Sequence, residues 1–210
     1  MPQRKIQPVA DNTDKQRTYA ENLKKYNVAM EHGFYFEAML IVYAVMEDRL
    51  RSYLYHLGAL KTRKSSEIDF SDAKDSLKTV VEEYKNEKES AGLGIESISG
   101  KRKIIRCLLE WVANTAYTPE KNSYLGIVKN HLEGAADIGG ILDCLNDIKE
   151  WCDYRNEVIH SLLNKNIDSL NEELAEQVMK GMKLARYLDS QVASLKKRNV
   201  IRNKLKLPMK

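Results

Sequence analysis

Between Phe34 and Leu57 the chain carries its densest apolar stripe: Ala38, Ile41, Val42, Val45, Met46, Leu50, Tyr53, Leu54 and Leu57. Spacings of three and four match the 3.6-residue turn of an α-helix, so these side chains share one broad face. A helix with so wide a face must be covered by other elements, which makes it the expected centre of the core. The rest of the chain can supply only more helices. Four prolines and ten glycines in 210 residues are few for a β-rich or loop-rich protein. An all-α fold with a single domain follows.

Read in order, Met1 to Asn12 is a polar arm with two prolines, and Thr13 to His32 a helix through Tyr19, Leu23, Tyr26 and Met30. Gly33 separates it from the central helix, and Gly58 ends the latter. Residues 59–70 read as a polar, basic connector, and Ser71 as the cap of a helix running to about Lys88. After a loop over Glu89 to Gly100 and the run Lys101-Arg102-Lys103, Ile104 to Ala116 reads as a helix, as does Tyr124 to Leu132. We take 59–135 as a helical insertion between core helices at about 13–57 and 138–195.

Within 138–164, Ile141, Leu145, Ile148, Cys152, Arg155, Ile159 and Leu162 form a heptad-like seam. Ser169-Leu170-Asn171-Glu172 fits a capping box opening the last long helix, through Leu174, Val178, Met182, Ala185, Leu188, Val192 and Leu195. A short connector makes these two helices antiparallel neighbours. Arg155 interrupts the seam where the rhythm calls for an apolar residue. A charge at such a position is costly unless it meets an anion or a carboxylate.

Arg155 is also the first residue of Arg155-Asn156-x3-His160, the parts needed to cut RNA without a metal. Histidine moves protons near neutral pH, and arginine presents a fixed fork of donors to a phosphate whose charge grows in the transition state. Asn156 and His160 are i and i+4 and share a face, whereas Arg155 and His160 lie about 140° apart on a straight helix. A local distortion or a second chain would have to close that angle. The spacing recurs at Arg51 and His56, and either pair is also compatible with a plain surface arginine and a half-buried histidine.

The motif at Arg155, Asn156 and His160, late in an all-helical chain, resembles the HEPN family. The resemblance covers that short motif and the helical layout. It implies a small bundle of long antiparallel helices that forms a homodimer with a composite site. It also implies a metal-independent endoribonuclease, without cofactor, acting in bacterial antiviral defence, abortive infection or toxin–antitoxin systems. RNA is the implied substrate, and an antitoxin protein or small RNA a possible partner. The alternative is a non-catalytic helical module that uses the same residues to hold RNA or a protein partner.

Other residues are candidates from their own chemistry. Glu47 falls in an apolar stretch where a charge needs a partner, and reaching across to Arg155 would supply one, although a solvated position at the stripe's edge is as simple. Trp151 and Tyr154 precede the motif and would either stack on an unpaired base or belong to the core. The tail 196–210 has seven basic residues and no acidic one, so Lys196, Lys197 and Arg198 would either track a phosphate backbone or be merely solvated. Net charge is only +4, compatible with nucleic acid without requiring it. Cys107, Cys144 and Cys152 lack metal-ligand spacing and read as free thiols. No metal is expected. The polar start and an apolar run of only Ala38 to Met46 lead us to expect a cytoplasmic protein with no membrane span.

Overall fold

The computed structural model describes residues 12–84, 93–135, 137–161, 167–197 and 200–208, and these contain helices and no strand. Helix α1 (Asn12–Glu31) ends at Gly33, whose φ of +75° turns the chain back, and α2 (Tyr35–His56) ends at Gly58, with φ +78°. Both glycines therefore sit in the left-handed conformation that stops a helix. Next come α3 (Ser71–Tyr84), α4 (Ile98–Asn114), α5 (Tyr124–Ala135), α6 (Ile138–Ser161), α7 (Ile167–Lys196) and the short α8 (Val200–Lys204).

Helix α2 is the hub, as its stripe requires. Ala38, Met39, Val42, Met46, Leu50 and Leu57 are wholly buried. It packs on α1, α7 and α4, while α6 packs on α7 and α4. The helices α2, α7, α6 and α4 thus close a four-membered ring. Side-chain contacts give the directions. Trp151 reaches Gln177 and Tyr187 reaches Asp137, so α6 and α7 are antiparallel. Val42 lies against Gly181 and Arg49 against Asp189, so α2 and α7 run parallel.

The segment read as an insertion supplies one wall of this ring. Helix α4 begins at Ile98, six residues before the expected Ile104, because Ser97 caps it by accepting from the Gly100 amide at 3.1 Å. The basic run Lys101-Arg102-Lys103 is consequently inside the helix and buried. Helix α7 is already running at Ile167, so Ser169 lies in its first turn, not ahead of it.

The tail departs furthest from a solvated strand. Arg202 is fully buried and its guanidinium lies over the Tyr55 ring at 3.6 Å. Its Nη1 donates to the carbonyls of Tyr55 (2.8 Å) and Leu60 (2.7 Å), and its Nη2 to those of Lys61 (2.8 Å) and Pro208 (2.5 Å). One cation thus ties together carbonyls from the end of α2, the connector after it and the tail, and its charge suits the negative end of the helix dipole. Ile201 and Leu207 bury alongside it. Among the described residues no helix is long and apolar enough to cross a membrane.

Candidate functional site

Helix α6 buries Ile141, Cys144, Leu145, Ile148, Trp151 and Val158. The line Cys144, Ile148, Trp151, Arg155, Val158 follows alternate steps of four and three, so Arg155 sits on a stripe that is otherwise buried and uncharged. Its stem is half-buried. The guanidinium lies over the Tyr43 ring of α2 at 4.3 Å, and Nη1 donates to Asn156 Oδ1 at 3.0 Å. Its Nε is buried without a hydrogen-bond partner, and among the described residues no carboxylate pairs with it. A cation over a tyrosine ring gains about 0.5–2 kcal/mol, which offsets part of the desolvation.

Sequence reasoning did not single out Tyr43. The one available signal was an aromatic residue one helical turn before Glu47, on the flank of the apolar stripe. Burial raises the pKa of its hydroxyl, the Arg155 charge opposes that, and Glu47 and Cys152 add to it. The Arg155, Glu47 and Cys152 groups thus all act on the Tyr43 hydroxyl, where the Arg155 side chain of α6 reaches α2. The Cys152 thiol is pushed up to about 11, chiefly by burial and then by Asp153, against the Arg155 and Arg102 charges.

Glu47 does not orient Arg155. Its Oε1 accepts from Lys101 Nζ at 2.9 Å, and the Lys101 side chain is fully buried. Burial lowers the Lys101 pKa, the bond and charge of Glu47 offset only part of this, and Arg51 lowers it further. The need for a partner was legible in the sequence. The choice between two cations depended on where α4 begins.

His160 is exposed, one residue from the end of α6. Asn156, one turn earlier, is exposed as well, so the amide touches Arg155 on one side and shares its helix face with His160 on the other. Helix α6 is continuous from Ile138 to Ser161, so no distortion closes the angle of about 140° between Arg155 and His160. Within one chain the two groups approach a shared spot only from opposite flanks.

Trp151 is core. It is 1% exposed, its Nε1 donates to the Gln177 carbonyl at 2.7 Å, and its indole lies on Gly181, which removes it from any role as a stacking platform. Tyr154 is half-buried, with its hydroxyl buried and unpartnered. Burial, then Glu173 and Glu157, push that hydroxyl up to about 12. Lys196 and Lys197 are exposed where α7 ends, and Arg198 lies outside the described residues. The second arginine–histidine pair is structural: Arg51 Nη1 donates to the Ser65 carbonyl at 2.7 Å, and His56 is buried edge-on to Tyr55.

The seam through Ile141, Leu145 and Ile148 is spent on the chain's own core, since all three are fully buried. Among its described residues Cys152, Arg155 and Ile159 keep part of their surface, and Leu162 lies outside the described residues. Cys107 and Cys144 are buried thiols, and none of the three cysteines is in a disulfide. Among the described residues no group of three or more His, Cys, Asp or Glu side chains is placed to hold a metal ion. No protein-family model, curated protein or solved structure matches the chain.

Proposed function

We propose that this chain is an endoribonuclease of the HEPN type that needs no metal and serves in bacterial antiviral defence or as a toxin. The observation that supports it is the state of Arg155. It is a half-buried guanidinium on an otherwise uncharged stripe, held by Tyr43 and Asn156, without a carboxylate partner among the described residues. An anion supplied by a substrate completes such a site. In the reaction, a ribose 2′-oxygen attacks the adjacent phosphorus and the bond to the 5′-oxygen breaks. His160 takes the 2′-hydroxyl proton or delivers one to the leaving oxygen, and Arg155 stabilises the crowded phosphate. The products are a 2′,3′-cyclic phosphate and a free 5′-hydroxyl.

The angle between Arg155 and His160 favours a site completed by a second copy of the chain, so that two histidines serve as base and acid. Since the apolar seam is committed to the core, that contact would run through the half-buried edge at Cys152 and Ile159 and the polar face at Asn156 and His160. The same angle favours a second reading, an RNA- or protein-binding module without cleavage. Incubation with total RNA in excess EDTA separates the two. We expect cleavage by the native protein and none by Arg155→Ala or His160→Ala, with helical content intact. Mixing the two mutants should restore some cleavage if the site is shared. Native-like cleavage by both mutants, or loss of activity on chelation with rescue by magnesium, refutes the reading.

A further inference from the structure

A second polar feature lies in the cleft where α1, α2 and α7 meet, with a volume of about 390 Å³. Lys15, Tyr19, Arg49, Arg63, Asp189 and Lys196 line it. Part of this wall is internally neutral. Lys15 donates to Asp48 at 2.5 Å, and Arg49 donates to both Asp48 and Asp189, so two cations meet two carboxylates. The Arg49 guanidinium also lies 4.6 Å from the Tyr19 ring, which locks it in place.

Arg63 and Lys196 remain. Neither has a carboxylate partner among the described residues, and the Arg63 guanidinium lies over the Tyr55 ring at 5.1 Å, near enough to Arg202 for the two charges to repel. Four cations against two carboxylates leave the cleft with an excess of two positive charges. These come from separate elements, the connector after α2 and the last residue of α7. Like charges are held near one cavity with no internal counterion, and a bound anion relieves that. A guanidinium fork and an exposed ammonium lining one cleft suit phosphate oxygens, and the half-buried Tyr19 gives the cleft an aromatic wall. The volume is at the small end of the range for ligand sites.

We infer that this cleft binds the phosphodiester backbone of single-stranded RNA, with Arg63 and Lys196 as its phosphate contacts. The choice of RNA over other phosphate bearers rests on the ribonuclease reading above. The contacts themselves are independent of Arg155 and His160. Each phosphate contact on a single strand contributes about 0.7 to the slope of log affinity against log salt. Removing two lowers the slope by about 1.4, which from 1 M to 0.1 M salt amounts to roughly 25-fold in affinity.

The test is fluorescence anisotropy with a labelled 12-nucleotide single-stranded RNA, in a His160→Ala background so that binding is read without cleavage. The double variant Arg63→Gln/Lys196→Gln should bind about 25-fold more weakly at 0.1 M salt, with the reduced slope. The charge-preserving Arg63→Lys/Lys196→Arg should bind like its parent. Lys196→Gln alone, at an exposed site, should lose about five-fold and guards against misfolding of the double variant. Unchanged affinity and slope in the Gln variants overturn the cleft as an RNA site. So does a mononucleotide that occupies the cleft when RNA does not bind. If His160→Ala abolishes cleavage while the Gln variants bind normally, the cleft fails and the ribonuclease reading stands. If no form of the chain cuts RNA but the 25-fold loss is seen, the cleft stands and the catalytic reading fails.

Discussion

Gly181 lies in the middle of α7, where helix propensity alone says that alanine would be better by about 1 kcal/mol. The packing says the opposite. A Cβ at Gly181 would stand 2.5 Å from Trp151 Nε1, 2.6 Å from Trp151 Cε2 and 2.8 Å from Val42 Cγ1. Neither neighbour is free to yield, since Trp151 is 1% exposed and Val42 fully buried. Relieving contacts so short forces the indole or the helix to shift, at about 1–3 kcal/mol for overpacking a core. The shift also strains the bond from Trp151 Nε1 to the Gln177 carbonyl, itself worth about 0.5–1.5 kcal/mol. Setting the propensity gain against these terms leaves Gly181→Ala destabilised by about 1–3 kcal/mol. For a protein of this size that lowers Tm by about 2–12 °C. Urea unfolding followed by tryptophan fluorescence and by far-ultraviolet circular dichroism measures it, with an unchanged m-value as the sign that only stability moved. A Gly181→Ala protein as stable as the parent, or more so, would mean that α2, α6 and α7 do not meet as closely as described.

Three further predictions concern other contacts. Tyr43→Leu should lower RNA cleavage by about 2- to 30-fold through loss of the ring under Arg155, while Tyr43→Phe keeps it, as single-turnover rates would reveal. An equal loss in both variants would count against the ring face. Arg202→Met leaves the Leu60 carbonyl without its donor, while the Tyr55 carbonyl still accepts from the Gly58 amide, and should cost roughly 1–3 kcal/mol, read by thermal unfolding and by faster proteolysis of the C-terminal segment. Burial raises the Asp48 pKa, but Lys15 and Arg49 more than offset it and leave it lowered. A carboxylate lowered in the folded state contributes stability that is present above its ordinary pKa, near 4, and is lost as pH falls through the folded value. Asp48→Asn should therefore be less stable than the parent at pH 7, and the difference should shrink on acidification below about pH 4, as a series of denaturation curves would register.

The all-helical class was readable from the chain because it rests on local information. The stripe from Ala38 to Leu57 has the helical period, and glycines at 33 and 58 sit where the backbone needs φ near +75°. Charged and apolar residues could likewise be sorted on α6, which is how Arg155 stood out against its neighbours. Which partner each charge meets is a non-local matter, and there the sequence was silent or misleading. Glu47 pairs with Lys101 and not Arg155 because Ser97 starts α4 early enough to bring the basic run into the bundle. Trp151 is core because Gly181, thirty residues away, leaves room for its indole. Arg202 reads as one more charge in a basic tail, and only docking against the end of α2 turns it into a buried donor to four carbonyls. Period and turn chemistry are written into neighbouring residues, so the sequence alone determined which segments form the helices α1 to α7, but not the short α8 in the tail. The company each polar group keeps depends on which helices are adjacent, and that only the tertiary structure decided.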